Sequence, residues 1–243
     1  MEKSVYKVTD IQDSFDPNRR KAIRTKKQLA LIPVGSIEQH GPHLPLSTDS
    51  DIVTEVAKRV AKKCNLLLLP TITYGVSFEH APFFNLSVTR ITLQNQLVDI
   101  CLSLVENKIR KIIILNGHHG NQKALSGIAD KISKLSRGQC KVFVISYWYH
   151  MKEEFDHAGF VETALMLAVS DKVKMNRAKK GIVTDKMSLK QKSKISKLAS
   201  THFIKATKTG VWGDPTKATK RDGVMILSEI VQNIAKKVSK LPY

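Results

Sequence analysis

Residues 111–125 read KIIILNGHHGNQKAL, and their order decides the fold. Ile112, Ile113, Ile114 and Leu115 form a strand-length run with no polar residue to turn toward water, so the strand must be covered on both faces. No hairpin turn follows it. The chain passes through Asn116, Gly117, two histidines, Gly120 and Asn121 and enters a stretch, 121–136, whose apolar residues recur at helical spacing. A buried strand that leads straight into a helix is half of a parallel βαβ unit.

The remainder of the chain repeats that unit. Residues 28–35, 66–72 and 141–147 are further apolar segments of strand length, and amphipathic stretches separate them: SDIVTEVAKRVAKK from Ser50 and TLQNQLVDICLSLVENKI from Thr92. HAGFVETALMLAVS predicts a helix from about Val161. GVMILSEIVQNIAKKVSK, from Gly223, predicts a closing helix with its lysines toward the end that the helix dipole favours. The expected class is α/β, a three-layer α/β/α sandwich with a mostly parallel central sheet. GVWGDPTKATKRDG is expected as a loop, and residues 171–209 as an irregular excursion or partial disorder. No internal repeat or hinge-like linker is visible, so residues 1–243 are taken as one domain.

Composition narrows the function. With 243 residues, 42% hydrophobic, the chain can build a large core, and no apolar run is long enough to cross a bilayer. The first residues carry acids and no apolar signal segment, which points to the cytoplasm. Cys64, Cys101 and Cys140 are odd in number and far apart, as reduced core thiols are. The net charge of +19 raises a nucleic-acid alternative, a catalytically inactive basic binding protein. The excess, however, is concentrated in RRKAIRTKK near the start and in 172–208, and aromatics make up only 6% of the chain, so a solvated basic face is preferred. Steering of an anionic metabolite ranks second.

The strand ends carry the chemistry. IEQHGPHLPLSTD, 37–49, follows the apolar LALIPVGS and sets Glu38, His40, His43 and Asp49 around glycine and prolines. NGHHGN places His118 and His119 at the same end of another strand, and DHAGFVET adds Asp156, His157 and Glu162. Open α/β sheets bind ligands at the carboxyl ends of their strands, and carboxylates with imidazoles suit Zn, Mn or Fe. For Glu38, His40 and His118, uncompensated polarity beside buried strands would be costly, so metal ligation is preferred over a structural role. Asp49 competes with a helix-capping role alongside Thr48 and Ser50. His119 is open between facing the ion and turning away, and His43, His150 and His202 read as structural or surface residues.

PVGSIEQHGPHLPLSTD, GVSFEH, NGHHGN, HAGFVET and GDPTKAT, in this order, resemble the creatininase (creatinine amidohydrolase) family over most of the chain, from about Leu31 to Gly223. The resemblance implies a binuclear metal-dependent hydrolase of non-peptide or small cyclic amides, a homo-oligomer and often a hexamer, with Glu38, His40, Asp49 and His118 at ligand positions. Two divalent ions bridged by Asp49 would hold a shared water as hydroxide and polarise an amide carbonyl. His157 suits the proton transfer to the leaving nitrogen, with Asp156 beside it to orient the ring, against the alternative of a capping or core histidine. Ser77, Glu79, His80 and His119 are candidate substrate contacts, with a structural Glu79–His80 pair the equal alternative. Phe84, Asn85 and Leu86 depart from the family's proline, glycine and threonine. Creatininase itself resembles NGHYEN, whose glutamate is the last metal donor; here that position is Gly120, and Glu162 is expected to replace it unless it is merely a first-turn helix glutamate. Among the family's substrates, creatinine, peptides and a formylaminopyrimidine phosphate of flavin and deazaflavin synthesis, the phosphate is preferred because it suits the basic balance.

Overall fold

The computed structural model describes residues 10–16 and 28–241; the basic run RRKAIRTKK lies outside them. Among the described residues four strands, β1 (Leu29–Val34), β2 (Leu67–Leu68), β3 (Lys111–Asn116) and β4 (Lys141–Ser146), form one sheet in the order β2-β1-β3-β4. Every pairing is parallel. Val34 lies opposite Asn116, and Asn116 opposite Ser146, so the last residues of three strands are level. That register brings the loops after β1 and β3 out side by side.

Alternation along β3 explains the layers. Ile113 and Leu115 join a core with α1 (Thr48–Cys64), α5 (Phe160–Val169) and α8 (Lys220–Ser239). Ile112 and Ile114 point the other way, into a core with α2 (Arg90–Glu106), α3 (Gln122–Leu125) and α4 (Ile128–Leu135). The fold is the expected α/β/α arrangement. Burying each such side chain contributes roughly 1.5–3 kcal/mol, which is why the continuous apolar run sits between two helical layers.

Three expectations change. The strand expected over 66–72 is regular only at Leu67–Leu68, because Pro70 has no N–H for the ladder; Ile72 rejoins it by bridging to Val34. The single helix expected over 121–136 breaks between α3 and α4, where Gly127 takes φ +71°. Residues 171–209 are not a structureless excursion: they form a 3-10 turn (Met175–Arg177), α6 (Leu189–Ala199) and α7 (Phe203–Thr207). The α6 helix buries only Ala199, so it shows little apolar periodicity in the sequence. A capping box between Ser188 and Gln191 starts it, and α7 packs against it.

Candidate metal centre

Five side chains from four elements meet at the level strand ends. Glu38 and His40 follow β1, Asp49 lies in the first turn of α1, His118 follows β3, and Glu162 lies in the first turn of α5; none is more than 3% exposed. Asp49 is not a cap, since Ser47 precedes the helix. Its carboxylate instead meets His40 Nε2 at 3.3 Å and His118 Nδ1 at 3.0 Å. His40 Nε2 is also 3.5 Å from Glu162, and His118 Nε2 is 3.2 Å from Glu38.

Most of these approaches lack hydrogen-bond alignment. Glu38 Oε1, His40 Nε2, Asp49 Oδ2 and Glu162 Oε1 are buried and have no hydrogen-bond partner. Orphaned polar atoms are costly, and four in one cluster fit donors aimed at shared cations. Second contacts set the imidazoles accordingly. His40 Nδ1 donates to the Glu38 carbonyl at 3.1 Å, which leaves Nε2 a free lone pair, and His118 Nε2 donates to the Val76 carbonyl at 2.9 Å, which frees Nδ1. Three donor triads result, Glu38–Asp49–His118, His40–Asp49–Glu162 and Glu38–His40–His157, each with ligand atoms within 4.8 Å of one another; Asp49 is common to the first two. The donor set therefore fits divalent ions.

Electrostatics agree. Burial alone would lower the pKa of both imidazoles, but Asp49, Glu162 and Glu38 outweigh it at His40, and Glu38, Asp49 and Glu79 at His118, raising each to about 10. Burial raises Glu162 to about 8 in spite of His40. The cluster calls for positive charge, which divalent cations supply.

His157 stands next to this cluster, its ring 4.3 Å from that of His40 and its Nδ1 3.9 Å from Glu38 Oε1. Burial, then the charges of His40 and His80, hold it well below the usual imidazole range. The expected role of Asp156 is corrected. Its carboxylate accepts the N–H groups of Val161 at 2.9 Å and Glu162 at 3.3 Å, so it anchors the start of α5 and not the His157 ring. Burial lifts its pKa to about 7 against the pull of those amides. The contacts to the ring come from Gln39, which the sequence reading passed over.

The candidate substrate contacts divide. Ser77 is fully buried with an unpartnered hydroxyl and does not reach the cavity. His80 pairs with Glu38 at 3.1 Å and not with its neighbour Glu79. Glu79 fills the space beside Gly120, where an added Cβ would lie 2.6 Å from its Oε1, and His119 stacks on Phe155; both line the cavity, as does His80. His43 is structural, bound to Thr163 at 2.9 Å. Asn121, also passed over, joins three loops: its amide donates to the Gly35 carbonyl at 3.0 Å and its oxygen accepts from Val76 N–H at 2.9 Å. The two asparagines that flank the histidines in NGHHGN were the available signal.

Above the cluster lies a cavity of about 370 Å³, walled by Phe155, Phe203 and Trp212. Phe203, from the 171–209 segment, lies 4.5 Å from the His80 ring and 4.7 Å from the His157 ring. Histidines aside, Lys192 is the one basic residue in the lining, against six carboxylates. Among the described residues the basic excess thus does not line the cavity, and there it gives no electrostatic reason to prefer a phosphorylated substrate.

A sequence model described as creatininase, creatinine amidohydrolase, matches residues 17–238. A mycofactocin precursor peptide peptidase of Mycobacterium ulcerans is 31% identical, over 86% of this chain and 84% of its own. A crystal structure of creatinine amidohydrolase superposes with a TM-score of 0.81 at 25% identity, covering 97% of this chain and 99% of the other. A formylaminopyrimidine monophosphate deformylase of Methanosphaera stadtmanae is 31% identical over 108 residues, 44% of this chain and 46% of its own.

Proposed function

The chain belongs to the creatininase family of metal-dependent amidohydrolases, and on that premise we propose that it cleaves the amide C–N bond of a small, peptide-derived substrate at two divalent ions. The observation that carries the reading is the convergence of four buried, unpartnered donor atoms beneath an aromatic-walled cavity. Glu38, Asp49 and His118 would hold one ion and His40, Asp49 and Glu162 the other, Asp49 serving both. Zn, Mn and Fe all suit these donors. Bound there, such ions supply an attacking water at neutral pH and polarise the amide carbonyl. His157, held neutral, would offer its Nδ1–H as a hydrogen bond to the leaving nitrogen, while the proton that nitrogen gains comes from the attacking water, and Phe203 and Trp212 exclude bulk water from that path. The peptidase relative, similar over most of both chains, favours a peptide-derived amide over the formylaminopyrimidine phosphate. A homo-oligomer belongs to the same reading, and the mass in solution checks it.

Protein stripped with a chelator and reloaded with Zn or Mn is to be assayed on short peptides, creatinine and the formylaminopyrimidine phosphate. Peptide cleavage that vanishes on stripping and returns with metal is expected; turnover confined to either of the other two compounds would refute the substrate assignment. His157→Ala is expected to lower kcat by ~10²–10⁴-fold with bound metal unchanged. Loss of metal from that variant would instead identify His157 as a ligand.

A further inference from the structure

Gln39 lies between two proposed ligands, and 7% of it is exposed. The Gly41 N–H donates to its Oε1 at 3.0 Å, which identifies the oxygen end of the amide. The opposite end, Nε2, must then be the donor. It lies 2.9 Å from His80 Nδ1 and 3.0 Å from His157 Nε2, so its two hydrogens are directed at two different imidazoles. Gly210 lies close against the amide: a Cβ there would lie 2.0 Å from Oε1.

A neutral imidazole nitrogen that accepts a hydrogen bond carries no proton, so each contact selects a tautomer. His80 then bears its hydrogen on Nε2, 3.1 Å from Glu38 Oε1. His157 bears it on Nδ1, the nitrogen that faces Glu38. His157 has an alternative, since its Nε2 also lies 3.0 Å from the Gln39 main-chain oxygen, an acceptor that would favour a hydrogen on Nε2. One residue thus offers the ring both a donor and an acceptor, and the side chain decides between them.

We propose that Gln39 is a positioning residue whose side-chain amide sets the tautomers and ring planes of His80 and His157 together, so that the His157 N–H points into the cavity. The proposal rests on the role assigned above to His157. It requires a donor at residue 39, which methionine and glutamate both lack.

The test uses the full-length, zinc-loaded protein labelled with ¹⁵N-histidine, with long-range proton–nitrogen spectra of the imidazoles assigned through single histidine variants. Wild type is expected to show His80 protonated at Nε2 and His157 at Nδ1. In Gln39→Met, His157 is expected to change to the Nε2–H form, with kcat reduced ~10–100-fold on the amide turned over and KM and zinc content kept, as for a partner acting through another residue. Gln39→Glu retains the acceptor for Gly41 and is expected to fold and to protonate His80 at Nδ1. His157 protonated at Nε2 in wild type, or tautomers unchanged in both variants, would overturn the proposal. Because tautomers are read without substrate, failure of the protein to cleave any amide would count against the functional reading and leave this result standing.

Discussion

Glu162→Gln is expected to cost the protein one of the two ions proposed per chain and at least ~100-fold in turnover, since outer partners of metal ligands alone cost ~10–100-fold. The substitution is nearly isosteric, and Glu162 Oε2 accepts the Ala158 N–H at 2.7 Å, a bond that the glutamine oxygen can keep. The variant therefore separates charge from shape. A glutamate that only capped α5 through the helix dipole would be replaced with a loss of ~0.3–1 kcal/mol and no change in metal content. Elemental analysis beside the rate decides: two ions with near-normal turnover would make Glu162 structural.

Gly120→Ala is expected to damage the metal centre by adding a single methyl group. The new Cβ would lie 2.2 Å from the Val76 carbonyl oxygen and 2.4 Å from His118 Nε2, the two atoms that hydrogen-bond each other to aim the His118 ring. Val76 oxygen is backbone, so the imidazole has to move. Overpacking of this kind costs ~1–3 kcal/mol. Displacing His118 also opens the Glu38–Asp49–His118 triad, so thermal denaturation should show a lower midpoint and elemental analysis less bound metal. The same crowding means that Gly120→Glu, which recreates the NGHYEN pattern, is expected not to rescue Glu162→Gln. Rescue by the double variant would show that the carboxylate can reach the site from either position and that the tight packing around residue 120 gives way.

Local pattern made the scaffold legible. The continuous run in 111–116 marked a strand buried on both faces, and β3 has those bounds; residues 141–146 and 29–34 likewise fall inside the expected segments. Strand periodicity and apolar runs are properties of neighbouring residues, so they survive without knowledge of the fold. The same locality limits them. Residues 171–209 read as unstructured because α6 and α7 are built from caps and mutual packing and contain few buried apolar positions. Asp156 was assigned to its sequence neighbour His157, whereas its carboxylate is taken up by amides five and six residues on.

From the sequence alone came the α/β class, the strands, and the fact that carboxylates and imidazoles gather where strands end, because burial pattern and donor chemistry are written residue by residue. Tertiary structure alone decided which of them face one another. Pairing β1 with β3 in parallel, in register at Val34 and Asn116, brought Glu38 and His40 beside His118, and the first turns of α1 and α5 added Asp49 and Glu162. The partners of Gln39 lie 41 and 118 residues away along the chain. An amide's hydrogen-bond partners depend on positions that only the folded sheet supplies, and no periodicity encodes them.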